Sequence, residues 1–156
     1  MGIQVAFEVA REFAVRRPAA DVFELLSNVP ESARHFPKVT RLVDLGRNTW
    51  RWEMEKVGAA SIYVQTVYAA RYRSDRRKRR IEWTAVPGVG NAQVSGSWSI
   101  SEHGAGSSLS LQIAGELRVP LPGLLQGIVG TMVRSENHRL IDRYVDNLTH
   151  HFGGRA

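Results

Sequence analysis

The chain has 156 residues and no cysteine, 43% of it is hydrophobic and 23% charged, and its formal net charge is +6. That balance belongs to a globular protein and excludes a disordered one. The absence of cysteine excludes disulfides, thiolate zinc sites and cysteine nucleophiles. The length fits one domain over residues 1–156, since no Pro/Gly/Ser-rich linker divides the chain.

The opening residues lack a basic segment followed by an apolar one, so a secretory signal is not expected. No run approaches the ~18 apolar residues of a membrane span. The expected location is cytoplasmic, with peripheral membrane contact as the alternative.

Residues 3–15 alternate, with Ile3, Val5, Phe7, Val9, Phe13 and Val15 on one parity, which predicts a first strand. Arg11 falls on the same apolar parity, so either the strand bulges or a guanidinium points inward. Pro18 suits the first turn of a short amphipathic helix carrying Val22, Phe23, Leu25 and Leu26. That helix stops near Asn28-Val29-Pro30, and a further turn or two over Glu31–Phe36 ends at Pro37.

From Val39 to Leu117 the pattern is strand and turn. Hairpin signals fall at Gly46-Arg47-Asn48, Gly58, Ser74-Asp75, Pro87-Gly88 with Gly90-Asn91, and His103 to Gly106. About six strands lie between them. One parity carries Trp50, Trp52, Met54, Ile62, Val64, Tyr68, Tyr72, Ile81, Trp83, Val94 and Trp98, and then Leu109, Leu111 and Ile113; the other is charged or serine-rich. Such alternation predicts an antiparallel sheet with one wet face and one dry one, and all four tryptophans fall on the dry side.

Pro120 to about Phe152 reads as a long helix that covers this face. Leu121, Leu125, Ile128, Val129 and Met132 make one stripe; Val133, Asn137, Leu140, Ile141, Tyr144 and Leu148 make a second, rotated by roughly 100°. Both cannot face one sheet from a straight helix. It either kinks near Gly127 and Gly130 or leaves Leu121, Leu124 and Ile128 partly exposed.

The order of elements, with Arg17-Pro18-Ala19-Ala20-Asp21-Val22-Phe23-Glu24-Leu25-Leu26-Ser27, His35-Phe36-Pro37-Lys38-Val39 and Gly96-Ser97-Trp98-Ser99-Ile100, resembles the START-like (SRPBCC, polyketide cyclase/dehydrase-like) superfamily. The resemblance spans essentially the whole chain. It implies an α+β helix-grip fold: a curved seven-stranded antiparallel sheet wrapped around the C-terminal helix, with two short helices between strands 1 and 2. It also implies a cavity between sheet and helix for an apolar small molecule such as a lipid, quinone or aromatic polyketide, and it calls for no cofactor.

Under that reading the cavity wall draws on Trp50, Trp52, Tyr68, Tyr72, Trp83, Trp98, Leu125 and Met132, with Arg11 and Asn137 as polar contacts. A buried amide such as Asn137 needs a partner, which a ligand or a neighbouring side chain supplies. The chain shows no zinc-type histidine pair, serine elbow or phosphate loop, so a metal is not expected and a catalytic set is not identified. A polyketide cyclase or dehydratase is the enzymatic alternative. A third alternative is an accessory factor that docks to a membrane or a larger enzyme through the basic run Arg76, Arg77, Lys78, Arg79 and Arg80 and the leucine-rich start of the C-terminal helix, unless the run is simply a solvated turn. With the charge so concentrated, nucleic acid is not the expected partner.

Overall fold

The computed structural model describes residues 2–59 and 62–156. Its elements are β1 (Ile3–Val15), α1 (Ala19–Ser27), α2 (Val29–Ala33), β2 (Val39–Gly46), β3 (Thr49–Met54), β4 (Val57–Ala59) and β5 (Ile62–Val64), followed by β6 (Val67–Asp75), β7 (Arg80–Ala85), β8 (Ala92–His103), β9 (Gly106–Val119) and α3 (Gln126–His151). Seven strands form one antiparallel sheet in the order β1-β9-β8-β7-β6-β3-β2, while β4 and β5 form a separate hairpin. The architecture is the expected α+β helix grip.

Local chemistry explains the element ends. Asp21 in the first turn of α1 sits where the helix dipole favours negative charge. The Asn28 side chain caps α2 by accepting the Glu31 amide at 3.2 Å. That cap starts α2 at Val29, two residues before the sequence-based expectation, with Pro30 in its first turn. Gly46, Arg47 and Asn48 all have positive φ in the expected tight turn between β2 and β3.

Ile62 to Tyr72 read as one strand, but the chain breaks at Gln65 and Thr66 between β5 and β6. Gln65 donates to the Met54 carbonyl at 3.0 Å. Asn91 accepts from the Val67 amide and donates to the Gln65 carbonyl, so side-chain amides replace the ladder there. Gly58 lies within β4 opposite Tyr63, and residues 60–61 are outside the described residues.

Arg11 resolves differently from both expectations. The β1–β9 pairing runs from Ile3↔Val119 to Val15↔Ser107 without a register shift, so there is no bulge. The guanidinium instead reaches sideways to α3, with Nε 2.7 Å from Asp142 Oδ1 and Nη2 3.2 Å from His138 Nδ1. That hydrogen bond and charge hold the Asp142 carboxyl below its ordinary range.

The long helix is a single element that buries Val129, Val133, Leu140, Ile141, Tyr144 and Leu148. The helix starts at Gln126 rather than Pro120, after a separate 3-10 turn (Gly123–Leu125), and exposure is the outcome observed, with Leu124 in that turn at 87% and Ile128 in the first turn of α3 at 63%. Helix and sheet enclose three apolar clusters. One surrounds Trp98 and Leu148, one surrounds Phe7 and Val129, and one surrounds Trp52 and Leu140. Tyr68 packs against all three.

Two large aromatics of the dry face lie across glycines on neighbouring strands, in the pairs Trp83↔Gly96 and Phe7↔Gly115. A Cβ on Gly96 would stand 2.4 Å from the Gln112 carbonyl oxygen and 2.5 Å from Trp83 Cζ2, too close for any side chain. Gly96→Ala is therefore expected to displace the indole and lower stability by about 1–3 kcal/mol. The shift in urea midpoint at constant m-value would measure it, and an unchanged midpoint would show that both the ring and the β9 backbone at Gln112 give way freely.

Candidate functional site

The three clusters do not meet everywhere. Between them lies a cavity of about 90 Å³, bounded by β3, β6, β7, β8 and β9 on the sheet side and by α2 and the middle of α3 on the other. Trp52, Tyr68, Tyr72, Trp83, Trp98 and Asn137 all line it. Alternation on adjacent strands brings the aromatics together. Trp52 pairs with Tyr68 across β3–β6, and Tyr72 pairs with Trp83 across β6–β7.

The aromatic wall is ordered by specific contacts. Trp52 stacks on Tyr68 with centroids 6.0 Å apart and planes 8° apart. Its indole N–H donates to the Tyr72 hydroxyl at 3.0 Å. Phe36, in the loop after α2, closes against Trp52 at 5.8 Å and Tyr144 at 4.9 Å. Ser32 on α2 and Tyr144 on α3 share a buried hydrogen bond inside the lining. Asn137 spends one amide hydrogen on the Val133 carbonyl of its own helix at 2.9 Å.

Four site residues named from sequence lie elsewhere. Arg11 is drawn to the outer side of α3 by Asp142. Leu125 and Met132 pack against the Phe7–Val129 cluster, filling the end of the grip. Trp50 is half-buried two residues along β3 from Trp52, and it walls a surface crevice with Phe23, Asn28, Tyr72 and Arg76.

The cavity also contains residues that strand parity does not reveal. Lys38, held with φ 62° in the loop before β2, extends Nζ to Glu136 Oε1 at 2.8 Å. Glu136 is only 12% exposed, and its other oxygen takes Arg139 at 3.1 Å. Lys38, Glu136 and Glu55 are the charged residues of the lining, and the ion pair links the loop after α2 to the helix. Glu136 was the more findable, since it adjoins Asn137 on the same helix. Lys38 sits in a turn where periodicity says nothing.

Burial dominates the ionisation of the phenols. Tyr144 is pushed up to about 12, mainly by burial, with hydrogen bonds from Ser32 and Trp98 opposing. Tyr68 and Tyr72 are raised further by the same desolvation, to which neighbouring phenols add. All three are held protonated and act as hydrogen-bond donors rather than bases. Outside the cavity, the His35 ring lies 4.7 Å from His151. Its pKa is lowered by burial first and then by His151 and Arg34. Among the described residues no group of three His, Asp or Glu side chains is placed to hold a metal.

The basic run is largely engaged within the fold. Arg76 pairs with Glu24 and lies 5.4 Å over the Phe23 ring, Arg79 reaches Glu102 at 3.4 Å, and Arg80 meets Glu82 and Ser99. Arg77 and Lys78 make no ion pair among the described residues. The turn borders the end of the β8–β9 hairpin, where Val15 also bridges Arg155 just beyond α3. Leu124 lies at the other end of the helix, near Gln4, which accepts Gln126 Nε2 at 3.0 Å. Twenty-six helical residues, roughly 39 Å at 1.5 Å each, thus separate the two features. No helix among the described residues is long and apolar enough to cross a membrane.

Residues 6–153 match the family described as Polyketide cyclase / dehydrase and lipid transport, and the chain belongs to that family. Solved structures agree in fold. A START superfamily protein from Mycobacterium smegmatis has a TM-score of 0.67 at 14% identity, covering 92% of this chain and 97% of that one. The protein TTHA0849 from Thermus thermophilus scores 0.61 at 20% identity, with 90% and 95% covered. The Zhui aromatase/cyclase from Streptomyces sp. R1128 scores 0.59 at 16% identity, with 93% and 90% covered. Among curated proteins none matches the sequence.

The phenol environments set an alkaline expectation. Tyr68, Tyr72 and Tyr144 have folded pKa values above the ordinary ~10, so their protons stay on the folded chain while the unfolded chain releases them. Stability from these groups is therefore complete below about pH 10 and declines as pH rises above it. Phenolate absorbance at about pH 11 should be nearly absent in a folded Tyr63→Phe variant and should appear together with unfolding. Absorbance from the folded variant would show that water reaches the buried phenols.

Proposed function

We propose that this protein binds a small, ring-containing apolar molecule between its sheet and its long helix. The observation that carries this reading is the wall itself: an apolar cavity faced by the Trp52–Tyr68 stack, Trp83 and Trp98, with Tyr68, Tyr72 and Asn137 as uncharged polar groups. Apolar burial supplies the affinity at about 25 cal/mol per Å², and few polar groups orient the guest. The family description supports a hydrophobic ligand.

The cavity of about 90 Å³ is smaller than the roughly 150 Å³ of an apolar cavity that accepts benzene. A ring therefore enters only if side chains move. The Lys38–Glu136 pair and Phe36 join the loop after α2 to the helix, so parting them widens the space at least structural cost. Glu136→Gln is expected to raise association and dissociation rates together, by severalfold, and to change the equilibrium constant by less than about threefold. Stopped-flow tryptophan fluorescence with a bound aromatic ketone would read this. A changed equilibrium constant with unaltered rates would place the pair in ligand contact instead of at the entrance.

The direct test is native mass spectrometry and organic extraction of the purified protein. A released organic compound is the expected result, and a cavity empty across a lipid and quinone panel would remove the reading. A second reading, a cyclase or dehydratase acting on a polyketide-like substrate, is favoured by one observation: the cavity phenols keep their protons and can donate to a carbonyl. Turnover of a model polyketide that survives Tyr68→Phe and Tyr72→Phe would remove it.

A further inference from the structure

The three phenols of the cavity differ in what their hydroxyl groups have left to give. Tyr144 shares a buried hydrogen bond with Ser32, so its hydroxyl has a partner within the fold. Tyr72 accepts from the indole of Trp52, and an indole nitrogen only donates. Its own hydrogen then has no acceptor among the described residues. Tyr68 makes no hydrogen bond among the described residues at all; burial and the nearby Tyr144 are what act on it. The two unused donors stand four residues apart on one face of β6. Trp52 connects them, stacked on one ring and bonded to the other.

The charged groups of the lining point the selection the same way. The Lys38 ammonium is taken by Glu136, and Glu55 is the remaining charge, so a carboxylate ligand would meet one engaged cation and two anions. Asn137 has one further N–H and an oxygen, so it discriminates in neither direction.

We infer that the cavity selects neutral molecules whose polar atom is an acceptor oxygen, such as a ketone, quinone or ester carbonyl, held by the hydroxyl groups of Tyr72 and Tyr68. This rests on the reading of the cavity as a ligand site and adds the chemistry that the site discriminates. A hydrocarbon of the same shape leaves both donors buried and unpaired, and a carboxylate adds charge repulsion.

Calorimetric titration of the full chain with 1-indanone, indane and indane-1-carboxylate separates these cases. The ketone should bind about tenfold more tightly than the hydrocarbon, the equivalent of one net hydrogen bond, and the carboxylate most weakly. Tyr68→Phe deletes a hydroxyl without a partner, so it keeps the fold. Tyr72→Phe leaves the Trp52 N–H without its acceptor and is the more disruptive change. Each should reduce the ketone's advantage severalfold, and Tyr68→Phe should bind indane no more weakly than the parent does, since it removes a donor that the hydrocarbon leaves unpaired. Equal binding of ketone and hydrocarbon would overturn the inference and leave the apolar site standing. So would tightest binding of the carboxylate, or a preference that survives the double variant. Failure of all three to bind would remove the ligand site itself, and the inference with it.

Discussion

One helix has to cover the concave face of seven strands. Strands lie about 4.8 Å apart, so seven span roughly 29 Å, whereas a helix with its side chains is about 10–12 Å wide. Curvature, the two short helices and the bulk of the aromatics share the remaining area. The stripe from Val129 to Leu148 lies closest to β1, α1 fits over β7–β9, and α2 with Phe36 reaches the β3 side. What stays unfilled is the region where the three apolar clusters approach one another, and there the polar groups of the interior collect.

The same geometry accounts for the uneven legibility of the sequence. Alternation on β1, β8 and β9 was plain because each of these strands has one wet face and one dry one over more than ten residues. Of the eight wall residues and two polar contacts expected from the resemblance, five and one line the cavity. Parity identifies a face but not a position along it. Trp50 shares a face with Trp52 and still lies beyond the cavity, while Leu125 and Met132 share a helix with Asn137 and plug its far end. Arg11 was visible as an anomaly on the dry parity, but its resolution needed Asp142, 131 residues away. Lys38 was not legible at all, because its place depends on a left-handed turn and on a helix nearly a hundred residues later.

The interior is economical in its polar groups. The Trp52 indole nitrogen donates to the Tyr72 oxygen and the Trp98 ring packs against Tyr144 at 6.0 Å, so large rings are fixed in orientation as well as buried. Among the described residues no fully buried side-chain nitrogen or oxygen lacks a partner. Within the lining, Glu136 is shared between Lys38 and Arg139, while on the surface Arg76 fastens the β6–β7 hairpin to α1.

Tyr68 touches all three clusters, and this has a thermodynamic consequence. A guest lodged against that ring would touch the residue that joins all three clusters, so its occupancy would be linked to global unfolding rather than to a local opening. A guest at a hundred times its dissociation constant adds about 2.7 kcal/mol to the folded state, a large fraction of the margin typical of a domain this size. Loaded and empty molecules would melt as two populations, and the apparent hardiness of any preparation would report what it carries.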